Sequence, residues 1–289
     1  MTIDTRRLLD LSYWKALNPH LTITQSPNFH PPLEIERARL DQISDTLHHD
    51  GYLHQSPLLQ DKDIAALRLG IENLVHAGWP AAFIYVYDQV WDFFYQLNGF
   101  LSHFLGDRYG LLPHFWAWHI DKDDNGTTSG WPPHVDYSGE CAFFDDYLIS
   151  LSLWIPLTDA TPENGCMNIL PLSRQKEYET PIKEPTDILL QDVRCLPAKA
   201  GSVLGWRQDL WHWSGRSSKY AKEPRISLSL EFQNRAFDPL CPPLYDLTSP
   251  PEPEQRIRLI CGQFAKYDHM ERVAGELEKA GKEIGITQT

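Results

Sequence analysis

The sequence predicts a mainly β protein with surrounding helices: a barrel or jelly-roll core against which an N-terminal third and a C-terminal tail pack. Three observations predict it. Between about residues 113 and 235, short apolar or alternating runs are separated by Pro, Gly, Asn and Asp, the punctuation of a barrel or sandwich. The flanking segments carry apolar residues at helical spacing instead. The chain of 289 residues, 42% hydrophobic and 22% charged, is long and apolar enough to bury one sizeable core.

In residues 34–49, Leu40, Ile43 and Leu47 share one helical face, and Asp50-Gly51 ends the run. Residues 61–75 open with acidic side chains and place Ile64, Leu67, Ile71 and Leu74 on one face. An aromatic-rich helix is predicted over 88–105, ending at Gly106-Asp107. The strand candidates are 115–120, 147–156, 167–170, 202–206 and 225–232. Six prolines in 239–253 make an extended connection, and 256–284 returns to helical periodicity through Ile257, Ile260, Phe264, Met270, Val273 and Leu277. No repeat divides the chain. We expect one domain over 1–289, with 1–112 as helical support, 113–235 as the β core, and 236–289 as connection and terminal helices.

Thirty-nine acidic and 26 basic side chains give a net charge of −13. Such a surface repels phosphate backbones and anionic headgroups, so neither nucleic acid nor a membrane is an expected partner. The first residues lack the apolar run of a secretory signal, and no stretch reaches the ~20 apolar residues of a membrane span. Five cysteines (141, 166, 195, 241 and 261) form no CxxC pair and are odd in number. Reduced thiols in a cytoplasmic protein are therefore expected, not a disulfide or zinc framework. There is no Gly-rich phosphate loop and no nucleophile elbow. Oligomeric state is left open.

A non-haem Fe(II) site needs two His and one carboxylate on one face of the metal. His-x-Asp on an extended segment suits this, because residues i and i+2 point to the same side. The doublet occurs at His48/Asp50, His119/Asp121 and His134/Asp136. The first ends an amphipathic helix. The second sits on an aromatic run, where it reads as a strand residue near the site. The third follows Trp131-Pro132-Pro133, which enforces an extended approach. The loop 121–130, with Asp123, Asp124, Asn125 and Gly126, resembles a calcium loop faintly but lacks its closing glutamate; it could act as a lid.

Several segments resemble the phytanoyl-CoA dioxygenase family of Fe(II)/2-oxoglutarate-dependent oxygenases. Pro133-His134-Val135-Asp136 looks like the family's metal doublet. The run from Leu153 to Ala160 looks like its strand and turn, and Glu163-Asn164-Gly165-Cys166 with Pro171-Leu172-Ser173 resembles its most specific stretch. Leu210-Trp211-His212-Trp213-Ser214-Gly215 is similar to the segment bearing its distal histidine, 76 residues after His134. The likeness covers roughly 113–235. It implies a double-stranded β-helix core, with His134, Asp136 and His212 as iron ligands and 2-oxoglutarate and O₂ as cosubstrates.

The resemblance implies further that a buried arginine receives the far carboxylate of 2-oxoglutarate. Arg225, 13 residues after His212, opens an alternating strand in which Ser227 and Ser229 share its face. Its rival Arg216 lies in a Ser/Lys-rich turn. Trp154 matches a tryptophan beside the cosubstrate, and Ser214 could hydrogen-bond it. Trp116, Trp118, Trp131, Trp206, Trp211 and Trp213 are candidate pocket walls. The expected reaction is hydroxylation of an unactivated C–H bond in a small organic substrate. Desaturation, epimerisation and ring closure stay open. The alternatives are a cupin-like metalloenzyme without 2-oxoglutarate, or a non-catalytic binding protein on the same fold.

Overall fold

The computed structural model describes residues 4–122, 129–137, 142–144, 147–247, 249–266 and 274–283. The loop 123–126, Cys141, Met270 and Val273, named above, lie outside them.

Helix α1 (Leu11–Leu17) is capped by Asp10, whose carboxylate accepts from the N–H groups of Ser12 and Tyr13. Helix α2 (Arg37–Asp50) buries Leu40, Ile43 and Leu47 and ends at Gly51, where φ is +82°. A short strand β1 (Tyr52–Gln55) leads to α3 (Asp61–His76), which buries Ile64, Leu67, Ile71 and Leu74. The predicted helix over 88–105 is two helices, α4 (Asp88–Gln96) and α5 (Asn98–Leu105). The carbonyl of Gln96, which would accept from Phe100 in an unbroken helix, accepts from the N–H of Leu33 instead.

The strands follow as β2 (Tyr109–Ile120), the β3 (Phe143–Phe144) and β4 (Tyr147–Leu148) pair, β5 (Ser150–Pro156) and β6 (Met167–Ile169). After the one-turn helix α6 (Leu172–Gln175) come β7 (Arg194–Leu196), β8 (Val203–Trp206), β9 (His212–Ser214) and β10 (Arg225–Asn234). Helices α7 (Pro253–Lys266) and α8 (Ala274–Glu283) complete the described chain. None of the described helices is long and apolar enough to cross a membrane.

Two antiparallel sheets carry the site. The larger has the order β1-β8-β5-β10-β2, the smaller β7-β6-β9. Alternation along the central strands sorts their side chains. Leu151, Leu153 and Ile155 of β5 and Ile226, Leu228, Leu230 and Phe232 of β10 join the core made with the helices. Ser152 and Trp154, and Arg225, Ser227 and Ser229, turn the other way. A second apolar cluster joins Trp154, Leu204 and Trp206 of the larger sheet to Met167, Ile169 and Leu196 of the smaller one.

The architecture is mixed α/β rather than mainly β, because the apolar outer face of the larger sheet is buried by helices. One cation is sealed into that layer. Arg256 of α7 is 1% exposed, pairs with Asp88 at 2.7 Å, and donates to the carbonyls of Val86 and Pro251.

The four described thiols are free, but not all are isolated. Cys166 and Cys195 lie on either side of the β6–β7 pairing with their sulfurs 3.2 Å apart. Burial pushes the Cys166 thiol pKa well above its ordinary value.

Candidate active site

His134 is placed by a single antiparallel bridge. Its N–H donates to the carbonyl of His212 at 3.1 Å, and the N–H of His212 donates back at 3.0 Å. The Trp131 N–H reaches Ser214 O in the same ladder, so residues 131–134 form one more rung beside β9. Two residues on, the N–H groups of Asp136 and Tyr137 both donate to the carbonyl of Gln208. Pro132 and Pro133 supply no N–H and hold this approach extended.

The three side chains meet at one point. Asp136 Oδ1 lies 3.7 Å from His134 Nε2 and 3.7 Å from His212 Nε2. One ligand atom from each residue falls within 4.8 Å of the others. Each imidazole is fixed from behind, His134 Nδ1 donating to Pro132 O at 2.9 Å and His212 Nδ1 to Leu210 O at 2.9 Å. With the proton held on Nδ1, the Nε2 lone pairs face inward. Burial, with His212 adding to it, lowers the His134 pKa against the opposing pull of Asp136, which favours the neutral form a metal requires. Two imidazoles and a carboxylate converging from one side are the donor set of a facial triad.

Asp136 Oδ2 is engaged as well, accepting from Ser152 Oγ at 2.9 Å. That leaves Oδ1 facing the two imidazoles. Such outer partners typically carry about 10- to 100-fold in metal affinity. Ser152→Ala is therefore expected to weaken Fe(II) binding by about that factor, read by anaerobic competition with a chelator. Unchanged affinity would mean that the hydroxyl does not orient the carboxylate.

A cavity of about 460 Å³ opens onto this centre between the two sheets. Trp116, Trp118, Trp131, Trp154 and Trp206 line it, as do Ser214 and Arg225. Trp211 and Trp213 do not line it. The Trp206 ring lies 4.6 Å from that of His212.

Arg225 is 2% exposed, and its Nη1 donates to the carbonyl of Gly165 at 2.7 Å. Its guanidinium sits 5.7 Å from the Trp154 ring centre. Burial pushes its pKa down to about 10. Arg256, equally buried, has Asp88 against it. Arg225 has no carboxylate among the described residues, and its Nε finds no hydrogen-bond partner there. Two positions along the same face, the buried hydroxyl of Ser227 is also without a partner. Two orphaned donors beside an uncompensated cation are what a buried carboxylate would satisfy, so the residues present fit 2-oxoglutarate.

The family-like Glu163-Asn164-Gly165-Cys166 segment builds the turn that holds this arginine. Asn164 accepts from Thr161 N–H and donates to Asp159 O. Gly165 has φ +85°, and a Cβ there would fall 2.3 Å from the Gly215 carbonyl, so only glycine passes. Arg216 is exposed and outside the cavity lining. His119 pairs with Ile226 on β10 and does not line the cavity either. His48 Nδ1 donates to Ser44 O and its ring packs on Phe143.

Fold and site together define an iron- and 2-oxoglutarate-dependent oxygenase. The chain belongs to the phytanoyl-CoA dioxygenase (PhyH) family, whose model matches residues 47–222, more than half of its length. That match stops three residues short of Arg225. No curated protein matches by sequence. Among solved structures it is similar to SnoK, a non-haem α-ketoglutarate-dependent carbocyclase from nogalamycin biosynthesis, with 15% identity, TM-score 0.52 and coverage of 75% of this chain and 98% of that one. HygX from Streptomyces hygroscopicus, with nickel, 2-oxoglutarate and hygromycin B bound, gives 15%, 0.53, 70% and 89%. EvdMO1 gives 21%, 0.53, 68% and 50%. At these identities the likeness speaks for the fold.

Sequence reasoning missed Ser152, His114, Tyr137 and Glu231, all buried or cavity-lining. Ser152 and Glu231 carried a signal: each continues the polar set of an alternating strand whose other face is apolar.

Proposed function

We propose that His134, Asp136 and His212 hold Fe(II) and that Arg225, backed by Ser227, receives the far carboxylate of 2-oxoglutarate, with Trp154 beside it and Ser214 within the same cavity. The two sheets make the double-stranded β-helix that frames this centre, and residues 1–289 act as one catalytic unit. The reaction is hydroxylation of an unactivated C–H bond in a small organic substrate. When bound, iron and 2-oxoglutarate supply the activation of O₂, with succinate and CO₂ as coproducts.

The chain's own part is geometric and electrostatic. The histidines would offer Nε2, and Asp136 Oδ1, to a metal from one side, with the cavity opening beside them. Arg225 fixes one end of the cosubstrate by a charge-assisted pair. The tryptophan wall excludes water and holds an apolar substrate surface against the centre. The carboxylate at Asp136 occupies the position that a halide would need, which favours hydroxylation over halogenation.

The observation that carries this reading is the buried guanidinium with no carboxylate partner among the described residues, beside a complete His-Asp-His set. A cupin-like metalloenzyme without 2-oxoglutarate has no use for that cation. The test is spectroscopic. Anaerobic protein with Fe(II) and 2-oxoglutarate should develop a weak visible charge-transfer band, and O₂ with substrate should then yield succinate. Iron binding without the band, or a band with no succinate from any substrate screened, would overturn the reading.

A further inference from the structure

The inner face of β10 runs from Arg225 through Ser227 and Ser229 to Glu231, about 20 Å at 3.3 Å per residue. A cation stands at one end and a carboxylate at the other, both lining the cavity. The Glu231 end is built by a bulge. On β2, Leu112, Pro113 and His114 stand opposite Glu231 alone, because Leu230 pairs with Phe115 and Phe232 with Leu111. The bulge is stabilised by Gln263 of α7, which donates to Pro113 O and accepts from Phe115 N–H.

The bulge delivers His114 to the carboxylate. Its Nδ1 lies 2.9 Å from Glu231 Oε2 and 3.1 Å from the Tyr137 hydroxyl, whose ring stacks over it. Gln208 Nε2 approaches the same Oε2 at 3.5 Å. Both of these contacts fall on Oε2, and no donor among the described residues reaches Oε1; the fully buried Gln208 Oε1 has no partner there either. Of these two residues Glu231 alone belongs to the cavity lining, so its Oε1 is the acceptor offered beside the tryptophans of the wall.

We propose that Glu231, oriented by His114, is a substrate-recognition residue that accepts a hydrogen bond from the substrate, so that the substrate carries a hydroxyl or protonated amine beside an apolar face. An anionic group is repelled from this end by the Glu231 carboxylate, which lines the cavity. This inference rests on the iron and 2-oxoglutarate reading above. Buried acceptors left without a donor discriminate strongly against a ligand that cannot supply one.

The test uses full-length protein loaded anaerobically with Fe(II) and 2-oxoglutarate. Binding of 2-phenylethylamine, 2-phenylethanol and 3-phenylpropanoate is read from the perturbation of the visible band and from tryptophan quenching. The amine or the alcohol should bind about 10- to 100-fold more tightly than the carboxylate. E231Q should keep the band and erase most of that preference. A larger loss for the amine identifies an ammonium, because glutamine still accepts from a hydroxyl but carries no charge. Equal or tighter binding of the carboxylate to wild-type protein, or no discrimination among the three, overturns the proposal whether or not E231Q folds. Absence of the band in wild-type protein is a different failure, that of the cosubstrate reading itself.

Discussion

Arg225→Met is expected to weaken 2-oxoglutarate binding roughly 30- to several-thousand-fold while leaving iron bound and the stability of the ligand-free protein near that of the wild type. The two effects have one cause. A guanidinium with a pKa near 10 instead of 12.5 is disfavoured in the folded chain by about 3 kcal/mol. Its hydrogen bond to Gly165 O, worth about 1.5–3 kcal/mol, roughly offsets that. Removing both leaves stability near where it was, with methionine filling the space. The sign with pH follows. The folded pKa lies below the unfolded one, so the destabilisation is complete at neutral pH and fades only as pH rises through about 10. With 2-oxoglutarate present the balance inverts. Its carboxylate would be buried with no counter-charge, at about 2–5 kcal/mol, or roughly 30- to several-thousand-fold in affinity. Anaerobic titration of the visible band gives the affinity. Thermal denaturation gives the stability: wild-type protein should gain about 2.7 kcal/mol at 100 times its Kd, and the variant less than about 1 kcal/mol at the same concentration. An unaltered Kd would remove Arg225 from the site.

His212→Ala should empty the metal centre without unfolding the protein. The bridge that places this residue uses its backbone N–H and carbonyl, both retained in the variant. What is lost is one of three donor atoms, so the affinity should fall by more than the roughly 10- to 100-fold that an outer partner contributes. Metal analysis after anaerobic reconstitution should drop from near one Fe per chain to background, and succinate formation should vanish with it. Asp136→Ala should behave alike. A variant at either position that keeps stoichiometric iron would show that the ion is held elsewhere.

Much of this site is legible in the sequence, and the reasons are local. His134 and Asp136 can be read because a two-residue period on an extended segment sends both side chains one way, and because two prolines enforce the extension. Arg225, Ser227 and Ser229 can be read for the same reason. His212 needed the resemblance, since no local pattern says that a residue 76 positions on will pair with His134. What stayed hidden depends on pairing between distant segments. The β2 bulge that brings His114 to Glu231 exists only in the register with β10. The break between α4 and α5 depends on Leu33 taking the carbonyl of Gln96. The four residues of β1 are too few for a period to show, and the preceding helix masks them.

That last strand changes how the molecule can be divided. Tyr52–Gln55 runs antiparallel along β8, some 150 positions away in the chain, and forms one border of the larger sheet. The stretch carrying the ligands looks like a portable module when read from its motifs. Excised at residue 113, it would present the bare ladder of β8 to solvent, an open template for association with other chains. The amino-terminal third is therefore a seal on the scaffold as well as a buttress. Domain grafts built from this protein should begin upstream of α2.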